Sequence, residues 1–398
     1  MKILVLNSGS SSIKYKLYDV AANEYKSIAS GGAERIAISG SFLKHSPVGK
    51  DTVKKEMPLP THKDAIDEIM KLLVDPVCGV LKDISEIIGV GHRVLHGGSD
   101  FTESALVNEK VEKAIKDNIV LGPLHNPANL MGIDAIKEIM PSVPQVAVFD
   151  TAVHQSMPPK AYLYPLPMEQ YTKHKIRRYG FHGTSHSFVS SKAAEILGTP
   201  LKDIKLISCH IGNGASLAAF QDGKVLDTSM GLTPLAGLMM GTRAGDIDPY
   251  IPLHIMKTQG LSVDEVNNLL NKQSGMLAIA GHSDMRDVEN GYFEGKKEDV
   301  EAFDMYIYHI VKYIGAYCAA MNGVDVILFT AGVGENSPLL REKVLENFSY
   351  IGLELDKEAN NTRGTTFIST KNSKVKAMVV PTDEELLIAK DTVRLINK

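Results

Sequence analysis

Tryptophan is missing from the 398 residues, and cysteine nearly so, at Cys78, Cys209 and Cys318 only. These three lie far apart and form no CxxC pair, which argues against a cysteine zinc site and a disulfide framework and fits a reducing, cytoplasmic setting. An excess of one charge is missing too. The formal net charge is -4, with no polybasic tail, so neither a nucleic-acid partner nor a charged membrane surface is indicated. Long hydrophobic runs are also lacking. The opening MKILVLNSGSSS reaches a Gly/Ser turn well before the apolar run of about 7–15 residues that a secretory signal requires. The most apolar helical pattern, Phe303–Met321, carries Asp304, His309 and Lys312 and reads as a core or interface helix, not a membrane span. No GxxxxGK[ST] loop, GxGxxG fingerprint or HExxH pair occurs, so P-loop, Rossmann and zinc-protease readings lose support.

What is present is an alternation of β-rich and helical patterns, the mark of an α/β chain, at a length that suits two domains. Ile3–Leu6 and Ile13–Tyr18 read as strands joined by the polar turn Asn7–Ser12. Lys205–Cys209 and Ser216–Phe220 read as another such pair, joined by His210–Ala215, with a further strand at Lys224–Asp227. This weak internal repeat predicts two similar domains, drawn at 1–150 plus 385–398 and at 151–384. Strands at Gln145–Phe149, Asp325–Phe329 and Lys376–Val380 run into Asp150, into Thr330–Asn336 and into Pro381–Glu384. Ligands in α/β sheets sit beyond the carboxyl ends of strands, so chemistry is expected there. Asp383 is the expected N-cap of a final helix over Glu385–Leu395.

The turns carry the first chemical signal. Backbone N–H groups of tight Gly/Ser turns converge on phosphate oxygens, and Asn7–Ser12, Gly212–Gly214 and Gly332–Asn336 have that character. Lys14 is the cation next to the first turn. Arg93 and Arg243 each sit among glycines, a setting in which a guanidinium fork can reach a carboxylate or phosphate. His182 and His186 are four apart, but Gly183 between them makes a helical zinc pair a poor reading, and hydrogen bonding to a charged substrate suits His182 better. Asp150, Glu384 and Asn7 offer oxygen ligands at strand ends, a set that suits Mg²⁺ better than zinc.

On these residues the chain resembles the acetate kinases of the acetate and sugar kinase/Hsp70/actin superfamily. The resemblance runs from Asn7–Ser12 through Gly91–Gly98, Pro123–Pro127, Phe149–Ala152, Gly180–Ser185, Gly212–Gly214, Gly241–Asp246 and Gly332–Asn336 to Asp383–Leu386. It implies an α/β fold of two duplicated domains of the actin-like ATPase (ribonuclease H-like) type, with an active-site cleft between them. It also implies transfer of a phosphoryl group between ATP and acetate, with Mg²⁺ (or Mn²⁺) as cofactor, in a homodimer. The implied roles are Mg²⁺ ligation by Asn7 and Glu384, and ATP binding by Lys14, by His210, Ile211, Gly212, Asn213 and Gly214, by Asp284, Met285 and Arg286, and by Gly332, Val333, Gly334, Glu335 and Asn336. Arg93 would hold the carboxylate. Leu95, Leu124, Phe181 and Pro234 would line a pocket for the substrate's methyl group, and Leu95 stands where the family tends to have Val. Asp150 would be the acid or base residue, and His182 and Arg243 would stabilise the transition state. An acyl substrate already ionised at pH 7 needs no base, so Asp150 is expected instead to orient a Mg²⁺-bound water or fix an arginine. A propionate or butyrate kinase, and an actin- or Hsp70-like nucleotide-binding protein without kinase activity, are the alternatives.

Overall fold

The computed structural model describes residues 1–123 and 125–397. The chain divides into two compact units, the first formed by Met1–Gln155 together with the segment from Asp383 onward, the second by Ser156–Thr382. Glu384, drawn from the sequence with the second domain, therefore belongs to the first unit.

The first unit is built on strands β1 (Lys2–Ser8), β2 (Ser12–Ala21), β3 (Glu24–Glu34), β4 (Phe42–Pro47), β5 (Val53–Glu56), β6 (Ile87–Val94), β7 (Ala105–Leu106) and β8 (Gln145–Phe149). They form one mixed sheet in the order β5-β4-β3-β2-β1-β6-β8-β7. Strand β1 is antiparallel to β2 and parallel to β6, and β6 is parallel to β8. The alternation of side chains along β1 decides which helix covers which face. Leu4 and Leu6 pack with Ala65, Ile66 and Ile69 of the helix His62–Leu73. Ile3 and Val5 pack with Ile388, Ala389 and Val393 of the C-terminal helix Glu384–Ile396. That helix lies so close to β6 that a Cβ on Gly91 would sit 2.4 Å from Thr392 Oγ1 and 2.5 Å from Ile388 Cγ2. Only glycine fits there. The strands of the first hairpin reach further than the sequence suggested, absorbing Asn7, Ser8 and Ser12 and leaving Gly9–Ser11 as the turn, closed by Gly9 N donating to Ser12 O at 2.7 Å.

The second unit carries β9 (Leu206–Ile211), β10 (Ala215–Gln221), β11 (Lys224–Thr228), β12 (Val326–Thr330), β13 (Thr366–Phe367) and β14 (Lys376–Val379), in the order β11-β10-β9-β12-β14-β13. This is the order β3-β2-β1-β6-β8-β7 over again, strand for strand. The antiparallel β9–β10 pair, the parallel β9–β12 and β12–β14 pairs and the antiparallel β13–β14 edge match in direction as well. The weak hairpin repeat in the sequence is thus one corner of a duplication that covers six strands of each unit, and β4 and β5 are additions to the first. The segment Gly332–Asn336 is not a turn but part of a short helix, Ala331–Asn336, entered through Ala331 at a φ of 66°. The apolar pattern at Phe303–Met321 falls on the helix Lys297–Ala320 and its C-cap Met321. Among the described residues no helix is long and apolar enough to cross a membrane.

Candidate functional site

In the first unit the hairpin register sets Asn7 directly opposite Lys14, so the strand end delivers an amide and an ammonium side by side. A cavity of about 210 Å³ opens there, lined by Asn7, Ser8, Gly9, Ser12, Lys14, Arg93, Leu95, His125 and Asn129. Two asparagines of the helix Asn126–Ile139 fix its wall. Asn129 accepts from Leu95 N at 3.0 Å and donates to Ser8 O at 2.9 Å, while Asn126 accepts from His96 N at 3.2 Å. The buried Ser8 hydroxyl lining the cavity has no hydrogen-bond partner among the described residues. Burial without a partner is costly, so an incoming ligand oxygen is its natural complement.

Arg93, on β6, reaches across to the end of β8, where its Nε and NH2 groups donate to Asp150 Oδ2 at 3.1 and 2.7 Å. Asp150 is fully buried. Glu384, in the first turn of the C-terminal helix, lies 3.8 Å from Arg93 Nε. The Asp150 carboxylate holds the Arg93 guanidinium firmly charged, with burial opposing and Glu384 assisting. Burial pushes the Glu384 carboxyl up to about 7; Arg93 counters it, and the negative charges of Asp150, Glu385 and Asp383 add to it. Acidic groups crowded round one buried cation leave a carboxyl that gives up its proton reluctantly, which a second cation would reverse.

In the second unit His182 caps the helix Gly183–Leu197 in a left-handed conformation, φ 56°. Its Nδ1 is 2.9 Å from Ser216 Oγ, and its ring stacks on His210 at 4.1 Å between centroids. His210 in turn meets Ser185 Oγ at 2.8 Å, and Ser185 meets Thr382 Oγ1 at 2.9 Å. Arg243 donates to Pro234 O at 3.2 Å, and burial makes its charge harder to keep. No carboxylate pairs with it among the described residues. A Cβ on Gly214 would sit 3.4 Å from Arg243 NH1 and 3.6 Å from His182 Nε2, so both side chains converge on the Gly212–Gly214 turn.

A cavity of about 770 Å³ adjoins that turn. Gly212, Asn213, Asp284, Met285, Arg286, Gly332, Val333 and Asn336 all line it, so three segments flagged from the sequence meet at one site. Glu289, Tyr306 and Arg363 line it too and went unnoticed, because each lies alone in an ordinary helical or loop stretch. Asp284 caps the helix Met285–Glu294 and pairs with Arg286 at 2.5 Å, which holds its carboxyl down at about 2. Ile211 is core. The Glu335 carboxylate turns inward, accepting from Ala331 N at 2.8 Å, Thr382 N at 3.1 Å and Thr330 Oγ1 at 3.3 Å, so it braces the loop. Of the residues expected around a methyl group, Leu95 is in the first unit, Phe181 and Pro234 are in the second, and Leu124 lies outside the described residues.

A duplicated strand order, with glycine-rich corners and arginines set beside them, defines an α/β phosphotransferase of the actin-like fold. The chain belongs to the acetokinase family, whose sequence model matches residues 2–390. It is 55% identical over 400 residues to an acetate kinase of Caldanaerobacter subterraneus subsp. tengcongensis, covering 100% of this chain and 99% of the relative. The crystal structure of the Porphyromonas gingivalis acetate kinase matches it with a TM-score of 0.94 at 46% identity, covering 99% of each chain. That of a propionate kinase from Francisella tularensis subsp. tularensis SCHU S4 matches with a TM-score of 0.92 at 42% identity, again over 99% of each.

Proposed function

We propose that this chain reversibly transfers the γ-phosphoryl group of ATP to acetate, giving acetyl phosphate and ADP. The observation that carries this reading is Arg243, a half-buried guanidinium without a carboxylate partner among the described residues, set with His182 against the Gly212–Gly214 turn. A desolvated cation needs an anion, and a transferring phosphoryl group supplies one. ATP takes the cavity beside Gly212, Asn213 and Asp284, and acetate takes the first unit's cavity at Arg93. A carboxylate oxygen attacks the γ-phosphorus, a new P–O bond forms, and the bond to the β,γ-bridging oxygen breaks, its electron pair leaving with ADP. Both reactants are anions, so the rate comes from positioning and from positive charge around the transferring group. No base is needed. Asp150 is occupied in fixing the Arg93 fork, which is the part assigned to it here.

The residues fit a hard divalent cation, Mg²⁺ or Mn²⁺. Among the described residues no group of three or more His, Cys, Asp or Glu side chains is arranged to hold a metal ion. Mg²⁺ asks for less, one or two carboxylates with waters and substrate phosphates. Asn7 and Glu384 would hold it, and when bound it would supply positive charge to the phosphate oxygens. A cytoplasmic location and a homodimer, the assembly the resemblance implies, complete the reading; sedimentation velocity tests the latter.

Trapping with hydroxylamine tests the activity. With ATP, Mg²⁺ and acetate the protein should yield acetohydroxamate, and ATP hydrolysis without hydroxamate would instead favour an actin-like nucleotide-binding protein. The similarity to a propionate kinase supports a second acyl substrate. One methylene in an apolar pocket is worth only about 1–3 kcal/mol, so acetate, propionate and butyrate should be compared side by side.

A further inference from the structure

Behind His182 lies a chain of buried groups that the reaction as described does not use. The strands β9 and β10 are apolar except for a few polar side chains, among them Ser208 and Ser216, both fully buried. His186, also fully buried, is one turn along the helix from His182 and lies between the two serines. Its Nδ1 is 2.9 Å from Ser208 Oγ and its Nε2 is 2.8 Å from Ser216 Oγ. Ser216 Oγ then meets His182 Nδ1 at 2.9 Å. We propose that Ser208, His186 and Ser216 form a relay of positioning residues that holds neutral His182 in the tautomer carrying its proton on Nε2. The proposal rests on the reading above, in which His182 stabilises the transferring phosphoryl group.

The direction of the relay follows from its far end. A serine hydroxyl has one proton to donate, and a neutral imidazole has one donor and one acceptor nitrogen. The only hydrogen bond of the Ser208 side chain among the described residues is the one to His186 Nδ1. A fully buried hydroxyl that failed to donate would leave its proton unsatisfied, at real cost. Ser208 therefore donates to His186 Nδ1, which places the His186 proton on Nε2. His186 Nε2 then donates to Ser216 Oγ. The Ser216 hydroxyl has one acceptor left, His182 Nδ1, and donates to it. Neutral His182 must then carry its proton on Nε2, the nitrogen that borders the Gly212–Gly214 turn together with Arg243.

The chemistry gives this tautomer its value. A phosphoryl group in transfer spreads negative charge over its equatorial oxygens. An Nε2–H donor stabilises that charge, whereas the other tautomer would present a lone pair and repel it. In many sites a carboxylate or a backbone carbonyl fixes the histidine tautomer by accepting from the ring. Here a hydroxyl donates to the ring instead. It fixes the ring without adding negative charge beside a site that must accept anions.

Ser216→Ala removes one buried oxygen and leaves the strand intact. It should lower kcat by about 10–100-fold, the range for removing a group that orients a catalytic ligand, with KM for ATP and acetate changed by less than about threefold. ¹⁵N-detected NMR of histidine-labelled protein reads the tautomer directly. The His182 signals, identified by their loss in His182→Ala, should show an unprotonated Nδ1 and a protonated Nε2 in the native protein, and a tautomer mixture in Ser216→Ala. Ser208→Ala touches neither His182 nor the substrate, yet it should shift the same signals, and it serves if Ser216→Ala does not fold. A native His182 protonated on Nδ1, or unchanged signals in both variants, overturns the relay. If His182→Ala keeps full kcat, the catalytic reading fails instead, and the NMR result still decides whether the relay exists.

Discussion

Arg93 and Arg243 show one side chain under opposite electrostatic terms. Arg93 is anchored on one edge: its Nε and NH2 groups donate to Asp150, and Glu384 stands 3.8 Å away. Among the described residues Arg243 donates only to a carbonyl and a thioether, and burial weakens its hold on its proton. On the proposed reading the first would be a fixed platform for a carboxylate and the second a cation for the transferring anion. Glu384, at the start of the C-terminal helix and close to Arg93 and Asp150, gives a pH signature. Its carboxyl is raised from 4.5 to about 7. A raised acid favours the folded state where it is protonated. Its contribution to stability is fully present below pH 4.5 and is lost as the pH climbs through 7. Metal binding runs the other way, because a cation competes with that proton. The apparent Mg²⁺ affinity should fall about tenfold for each pH unit below 7 and level off above it. Titrating Mg²⁺ activation between pH 5.5 and 8.5 checks this, and Glu384→Gln should abolish the slope. A flat native profile would mean that Glu384 is not the metal's ligand.

At the scale of elements, packing of the C-terminal helix governs where Glu384 sits. Thr392 and Ile388 press on β6 at Gly91, two residues before Arg93. Gly91→Ala would force a methyl group within 2.5 Å of both side chains. Overpacking of this kind costs about 1–3 kcal/mol, or roughly 2–12 °C in Tm for a unit of this size. The melting temperature should drop and the Mg²⁺ requirement should rise together, since the helix carrying Glu384 must move; an unchanged Tm would show that the strand and helix separate freely. Elements of this sort were legible in the sequence where pattern and punctuation coincided. The hairpin at Asn7, the strand ending at Asp150 and the helix capped by Asp383 all announce themselves through apolar runs meeting Gly, Ser or Asp. Asn129, Glu289 and Arg363 do not, because none sits in a motif of its own and each acquires a role only through contacts made far along the chain. Ser208 and Ser216 left a fainter trace, since a hydroxyl inside an otherwise buried apolar strand has to be answered by some partner. Glu335 shows the reverse case. It sits in a motif that reads as a binding loop, but its carboxylate is consumed by Ala331, Thr382 and Thr330.

Across the whole molecule the duplication is unequal in one respect that decides how the halves can be separated. The second unit is a single stretch, Ser156–Thr382, whereas the first is interrupted and recovers its last helix only after the second is complete. That helix supplies Ile388, Ala389 and Val393 to a core shared with Ile3, Val5, Val146 and Val148. A chain cut before Asp383 therefore strips an apolar face from the first sheet, at about 25 cal/mol for each Å² exposed. The second unit keeps its sheet and its cavity lining when cut out: its six strands pair among themselves, and the residues lining the larger cavity run from Gly212 to Arg363. A domain with its own sheet and core is expected to fold alone. The fragment Ser156–Thr382 should be cooperatively folded and should bind ADP, by calorimetry, within roughly tenfold (~1.4 kcal/mol) of the full chain, while producing no hydroxamate. ADP binding by the fragment would locate nucleotide recognition in the second unit alone. Failure to bind despite a cooperative melt would mean that the first unit contributes to holding the nucleotide, because folding and recognition would then have been separated in one measurement.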